Sequence, residues 1–159
     1  MEEKQGQIFE MKIVVDTNIL FSALLSPSGK ISDLILNSSG VFDFMSPNFV
    51  FEELGRHRSK LLKISNYNEQ QLDFLMHSLF KNIDFIDLEY ISEINWEKAI
   101  ELVKNVDQFD APFVALSLQT NALLWTGDFK LVDGLLKSGY ENCVKTDFLT
   151  EFRDNTDKF

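Results

Sequence analysis

Five acidic residues stand where a carboxylate could do chemistry: Asp16, Glu53, Asp107, Asp110 and Asp128. Asp16 ends the aliphatic run Ile13-Val14-Val15. Glu53 lies i+4 from Phe49 and i+3 from Val50, on the apolar side of its helix, where an unpaired carboxylate is costly. Asp107 and Asp110 stand just before and at the start of the run Ala111-Pro112-Phe113-Val114-Ala115, and Asp128 follows Leu124-Trp125 through Thr126-Gly127. Each also has an ordinary reading. Asp16, Asp110 and Asp128 could cap the helices they precede, Asp107 could be a solvated loop residue, and Glu53 could pair with Arg56 or Lys60. Acids gathered at strand ends and helix starts fit those readings less well together than singly. Their charges would repel unless a hard cation sat between them, and oxygen-only donors suit Mg²⁺ or Mn²⁺.

The elements that must position these acids alternate. Strands are expected over Ile13–Val15, Val41–Met45, Asn82–Leu88, Ala122–Trp125 and Asn142–Lys145. Between them, helical spacing places helices over Ile19–Leu25, around Ile31, Leu34 and Ile35, over Glu69–Phe80, over Trp96–Val106 with Ala99, Ile100 and Val103 inward, from Asp110-Ala111-Pro112 onward, and over Phe129–Leu136. Ser46-Pro47 reads as a helix start, with Ser as N-cap and Pro at the first helical position. The helix so begun carries Phe49, Val50 and Leu54 and continues toward Leu61 and Leu62. Such alternation argues for an α/β chain of βαβ units: three layers, α/β/α, around a central parallel sheet of about four to five strands. In such sheets ligands bind outside the carboxyl ends of the strands, which is where Asp16 falls.

The totals narrow the function classes. The chain has 159 residues, 45% of them hydrophobic, with 15 Phe, which suits a single aromatic-rich domain. No apolar run approaches the ~20 residues of a membrane span. The single cysteine excludes an internal disulfide and fits a reducing cytoplasm. Residues 1–10 read as a flexible polar leader unlike a signal peptide, with Met11 an alternative start to Met1; residues 11–150 read as the domain and 151–159 as a polar tail. A net charge of −10 is the wrong sign for a general nucleic-acid binder. Contact with nucleic acid would be local, and the basic cluster Arg56, His57, Arg58, Lys60 and Lys63 offers phosphate grips beside Glu53. Its ordinary reading is a solvated helix face. Phe109 or Phe129 could stack a base. His57, His77 and Cys143 have no partner motif for covalent or acid–base work, and the seven scattered Gly form no phosphate-cradling loop.

Beyond these readings, Val15-Asp16-Thr17-Asn18 after an aliphatic strand resembles the opening of a PIN domain. Phe51-Glu52-Glu53-Leu54 resembles its second acidic element, and Asp107-Gln108-Phe109-Asp110-Ala111-Pro112-Phe113-Val114-Ala115-Leu116 with Leu124-Trp125-Thr126-Gly127-Asp128 its third and fourth. The likeness runs in order from about Met11 to Leu149, and is most like the branch holding the toxin half of VapBC-type toxin–antitoxin pairs. It implies a metal-dependent endoribonuclease that hydrolyses RNA in line, leaving a 5′-phosphate and a 3′-hydroxyl. It implies one or two Mg²⁺ or Mn²⁺ ions at Asp16, Glu53, Asp110 and Asp128, with Asp107 as an extra acid and Asn18 and Thr126 in support. It also implies a small antitoxin partner, homodimers and a cytoplasmic location. Ser117 and Phe129 depart from the family's common Ala and its Lys or Arg. The choice of Glu53 over Glu52 rests on the helix face. A catalytically silent PIN fold that binds protein or RNA is the alternative; acids at all four matched positions disfavour it.

Overall fold

Ile13, Val14 and Val15 are wholly withdrawn from water, and the chain is built around them. In the computed structural model, which describes residues 9–156, they form most of strand β1 (Met11–Val15). All but the last two residues of the expected leader, and the last three of the expected tail, lie outside the described residues. Strands β2 (Phe42–Pro47), β3 (Asp84–Ile86), β4 (Leu123–Trp125) and β5 (Cys143–Val144) complete a five-stranded sheet in the order β3-β2-β1-β4-β5. Every pairing is parallel, with Ile13 beside Phe44 of β2 and Leu123 of β4. Strands covered on both faces read as unbroken apolar runs rather than alternating ones, which is the pattern of β1.

Helices cover both faces, giving the three-layer α/β/α fold. They are α1 (Thr17–Leu25), α2 (Lys30–Leu36), α3 (Phe49–Arg56), α4 (Arg58–Ser65), α5 (Glu69–Phe80), α6 (Glu93–Val103), α7 (Ala111–Thr120), α8 (Phe129–Lys137) and α9 (Thr146–Thr156). Helix α7 is buried from Ala111 through Ser117 and lies against β1, β2 and β4. No single helix among the described residues is long and apolar enough to cross a membrane. The chain starts in the middle of the sheet, winds outward to β2 and β3, then returns to lay β4 on the other side of β1. The winding therefore reverses between β1 and β4, the place where open parallel sheets leave a crevice at their carboxyl ends.

Four local expectations are corrected. Ser46 and Pro47 end β2 instead of starting a helix. Ser46 is fully buried and donates its hydroxyl to the Val15 carbonyl at 2.8 Å, so it ties two strands together and caps nothing. Pro47 takes a strand-end position, where a missing N–H is tolerated. The helix expected to run on to Leu62 breaks at His57, which ends α3 and precedes α4. Ile100 is 57% exposed, because the inward stripe of α6 is set by Ala99 and Val103 and a residue one step along lies about 100° around the helix. Finally, residues 151–156 continue α9, and Arg153 is buried against Asp33 of the α2 segment at 2.8 Å.

Candidate active site

Asp16 emerges at the switch point. Its backbone N–H donates to the Trp125 carbonyl of β4 at 3.0 Å, so the residue is fixed by both central strands. Its carboxylate is 5% exposed and held by three donors: the Thr17 N–H on Oδ1 at 2.7 Å, and the Thr126 hydroxyl at 2.7 Å and Asn18 Nδ2 at 3.2 Å on Oδ2. Burial nevertheless pushes it up to about 6; the Thr126 and Thr17 bonds pull the other way, and the nearby charges of Glu53 and Asp128 add to the rise. Asn18 and Thr126 thus act as a brace. Asn18 Oδ1 accepts the Gly127 N–H at 3.2 Å, and Thr126 Oγ1 accepts the Asp128 N–H at 3.1 Å. The loops after β1 and β4 are locked to each other through these side chains.

Asp128 caps α8, accepting the Lys130 and Leu131 N–H groups on Oδ1 at 3.0 and 3.2 Å. Its capping role is real, and it leaves Oδ2 free of those bonds. Glu53 sits on α3 and accepts the Thr17 hydroxyl at 2.5 Å. Its carboxyl is raised chiefly by burial, against the lowering effect of the Thr17 bond and of Arg56 and His57. Glu52 points outward, 3.7 Å from Arg56 across one helical turn. Asp110 differs from the others. It precedes α7 but makes no capping bond, and it is pushed up to about 8 by burial first and then by the charges of Asp16, Asp107, Asp128 and Glu53. The capping explanation for Asp110 is therefore excluded by its geometry.

Asp16, Glu53, Asp110 and Asp128 line one cavity of about 350 Å³, joined there by His57 and Lys60. Asp107 does not line it. Its Oδ1 accepts the Phe109 N–H at 3.0 Å, and it acts on the cavity only through its charge. Of the expected phosphate grips, Lys60 faces the cavity, while Arg58 is taken up by Glu69 at 2.5 Å and Asp73 at 2.8 Å. Arg56 lies over the Phe49 and Phe109 rings. Thr17 is the positioning residue that sequence reasoning passed over. Its signal was the hydroxyl directly after Asp16, which only the fold brings to Glu53.

This is the constellation that the resemblance implied, and the comparison with known sequences decides the family: residues 14–148 match the family model of the PIN domain. The chain belongs to the PIN-domain family. A relative, the uncharacterized protein MJ1680 of Methanocaldococcus jannaschii, is 28% identical over 135 residues, covering 82% of this chain and 78% of that protein. Two solved structures share the fold. VapBC2 from Rickettsia felis, crystallised with a DNA fragment from its promoter, superposes with a TM-score of 0.62 at 15% identity, over 85% of this PIN domain chain and 97% of the other. PAE2754 from Pyrobaculum aerophilum gives 0.62 at 10% identity, with 89% of each chain covered.

The donor set of this PIN domain suits a hard cation, since four carboxylates line one cavity and raise one another's proton affinity. Among the described residues no group of three or more His, Cys, Asp or Glu side chains stands arranged to hold a metal ion. An open site of this kind fits Mg²⁺, which keeps several waters and is usually held by one or two carboxylates directly.

Proposed function

We propose that this PIN-domain protein is a divalent-metal-dependent endoribonuclease and the toxin half of a toxin–antitoxin pair. The observation that carries the reading is Asp110. It is a partly buried carboxylate with no capping bond, raised to about 8 by burial first and then by three cavity-lining acids and Asp107. A carboxyl group so placed lowers the stability of the fold and gains most from a cation. Membership of the PIN-domain family and structural likeness to the Rickettsia felis VapBC2 complex support the choice of nuclease and of an antitoxin partner.

In this reading Asp16, Asp110 and Asp128 hold Mg²⁺ or Mn²⁺ and Glu53 completes or orients the site. The ion supplies a more acidic bound water and charge neutralisation at the scissile phosphate. The protein's own groups do the rest. Thr126 and Asn18 fix the Asp16 carboxylate, the α8 backbone fixes Asp128, and Thr17 fixes Glu53, so three of the four acids are oriented before any substrate arrives. Lys60, on the cavity wall, would meet an RNA phosphate entering the site.

The test is calorimetric titration of Mn²⁺ into the wild type and Asp16→Asn, with structured-RNA cleavage on the same samples. Binding and cleavage are expected in the wild type and both are lost in the variant. Metal binding by the wild type without cleavage of any RNA points to the binding-module alternative. Equal metal binding by both proteins removes the acids from the metal site.

A further inference from the structure

Next in sequence to two of the cavity acids, Asp110 and Asp128, stand exposed phenylalanines with a cation over the ring, neither of which lines the cavity itself. Phe109 stands between Asp107 and Asp110, is 48% exposed, and stacks on Phe49 with ring centroids 6.3 Å apart and an interplanar angle of 10°. The Arg56 guanidinium lies 5.6 Å from the Phe109 centroid and 5.8 Å from that of Phe49. Phe129 follows Asp128 directly and is 71% exposed, with Lys145 Nζ 5.0 Å from its centroid. Within the cavity itself, Lys60 Nζ lies 5.8 Å from the centroid of Phe21. Every cation–aromatic pair among the described residues uses one of these three cations.

That clustering is unexpected in a chain of net charge −10. Exposed Phe rings gain nothing from water, and a cation on an exposed ring is only weakly held. Neither pair is a by-product of helix neighbours. Arg56 ends α3 while Phe109 belongs to the turn before α7, and Phe129 opens α8 while Lys145 follows β5. The fold assembles each pair from two separate segments and puts each next to a cavity acid in the sequence. A flat ring with a cation over one side can grip an unpaired nucleotide: the base stacks on the ring surface left exposed and the cation swings to the phosphate.

We propose that Phe109 with Arg56, and Phe129 with Lys145, form two nucleotide subsites, one beside Asp110 and one beside Asp128. Each ring stacks one unstacked base of the bound strand and each cation meets its phosphate. The Phe49 ring backs Phe109. This inference rests on the nuclease reading of the cavity and adds the groups that place the strand across it.

The test separates the two. A fluorescein-labelled single-stranded RNA octamer, intact or with one abasic position in turn, is bound to Asp110→Asn protein by anisotropy, alone and combined with Phe109→Leu or Phe129→Leu. Phe74→Leu, at a ring 70% exposed on α5, serves as control. Each subsite variant is expected to weaken binding of the intact octamer about tenfold. One abasic position should produce the same loss in the parent, and at that position the matching Phe→Leu change should have no further effect. In Mn²⁺-supported cleavage with Asp110 present, KM should rise by a similar factor while kcat moves less than about twofold. Binding unchanged by either Leu variant leaves the rings to contact with a protein partner and overturns the proposal. So does a loss that is equally large on abasic RNA at every position. Phe-dependent, base-dependent binding without cleavage by the wild type sustains the subsites and overturns the nuclease reading alone.

Discussion

Replacing Asp110 with Asn removes an ionisable group from the acidic cavity and no capping bond from α7. The two shapes are nearly the same, so the change isolates charge. Burial and the neighbouring acids push the Asp110 carboxyl up to about 8 in the fold, against 3.8 for the unperturbed side chain of the unfolded chain. The sign follows from the raised value. The folded state binds the proton more tightly, so the stability this group contributes is complete below 3.8 and is lost progressively as pH rises from there through 8. At pH 7.5 the gap to an always-neutral side chain has a ceiling of about 5 kcal/mol at 1.36 kcal/mol per unit; partial exposure and screening reduce it to about 2 kcal/mol. For a domain of this size that is roughly 4–8 °C in Tm. In EDTA at pH 7.5 the Asn variant should therefore melt above the wild type, and the two curves should converge toward pH 4. Saturating Mn²⁺ reverses the order, because ligand at 100 times its Kd adds about 2.7 kcal/mol to the wild type and little to the variant. Differential scanning calorimetry across pH, with and without Mn²⁺, checks each step. A variant no more stable than the wild type in EDTA, or a difference that does not change with pH, refutes the reasoning.

Three other outcomes follow from neighbouring contacts. Asp128→Asn keeps an acceptor for Lys130 and Leu131 and should hold its Tm, whereas Asp128→Ala loses the α8 cap and about 1 kcal/mol; RNA cleavage should fail in both, with thermal melts separating them. Thr17→Val removes the hydroxyl that fixes Glu53 and should lower kcat about tenfold, equivalent to ~1.4 kcal/mol, while circular dichroism stays unchanged. Gly134→Ala, at a helical position where Ala would normally stabilise by up to about 1 kcal/mol, should instead destabilise by about 1–3 kcal/mol in urea, because its Cβ would fall 2.3 Å from Val106 Cγ2 and a β-branched side chain yields little.

The sequence carried the sheet and the acids because both are written locally. A buried parallel strand needs an unbroken apolar run, which Ile13-Val14-Val15 supplies, and Glu53 stands out against the apolar stripe that Phe49 and Val50 define. What was illegible depends on distant partners. Ser46-Pro47 has the composition of a helix start, and only the Val15 carbonyl across the sheet makes it a strand end. Arg153 sits in a segment that is polar by composition, yet it is buried because Asp33 lies 120 residues away in sequence and 2.8 Å away in space. Thr17 reads as filler between Asp16 and Asn18 until α3 delivers Glu53 to it.

The four cavity acids form a graded series when sorted by what already satisfies them. Asp16 has three side-chain and backbone donors, Asp128 has two backbone donors, Glu53 has one hydroxyl and Asp110 makes no capping bond. Donors fix a carboxylate's orientation and lower the proton affinity that burial raises. The series therefore separates orientation from charge balance: the acids after β1 and β4 are oriented by the protein, and the one before α7 is left for something else to neutralise. Pro112 in the first turn of α7 has no N–H to cap and the Ala111 N–H is bonded to the Gln108 carbonyl, so the Asp110 side chain is not drawn into the helix start. Asp110 precedes the most buried helix without capping it, while the exposed start of α8 is capped twice, an order that supports the proposed cation site.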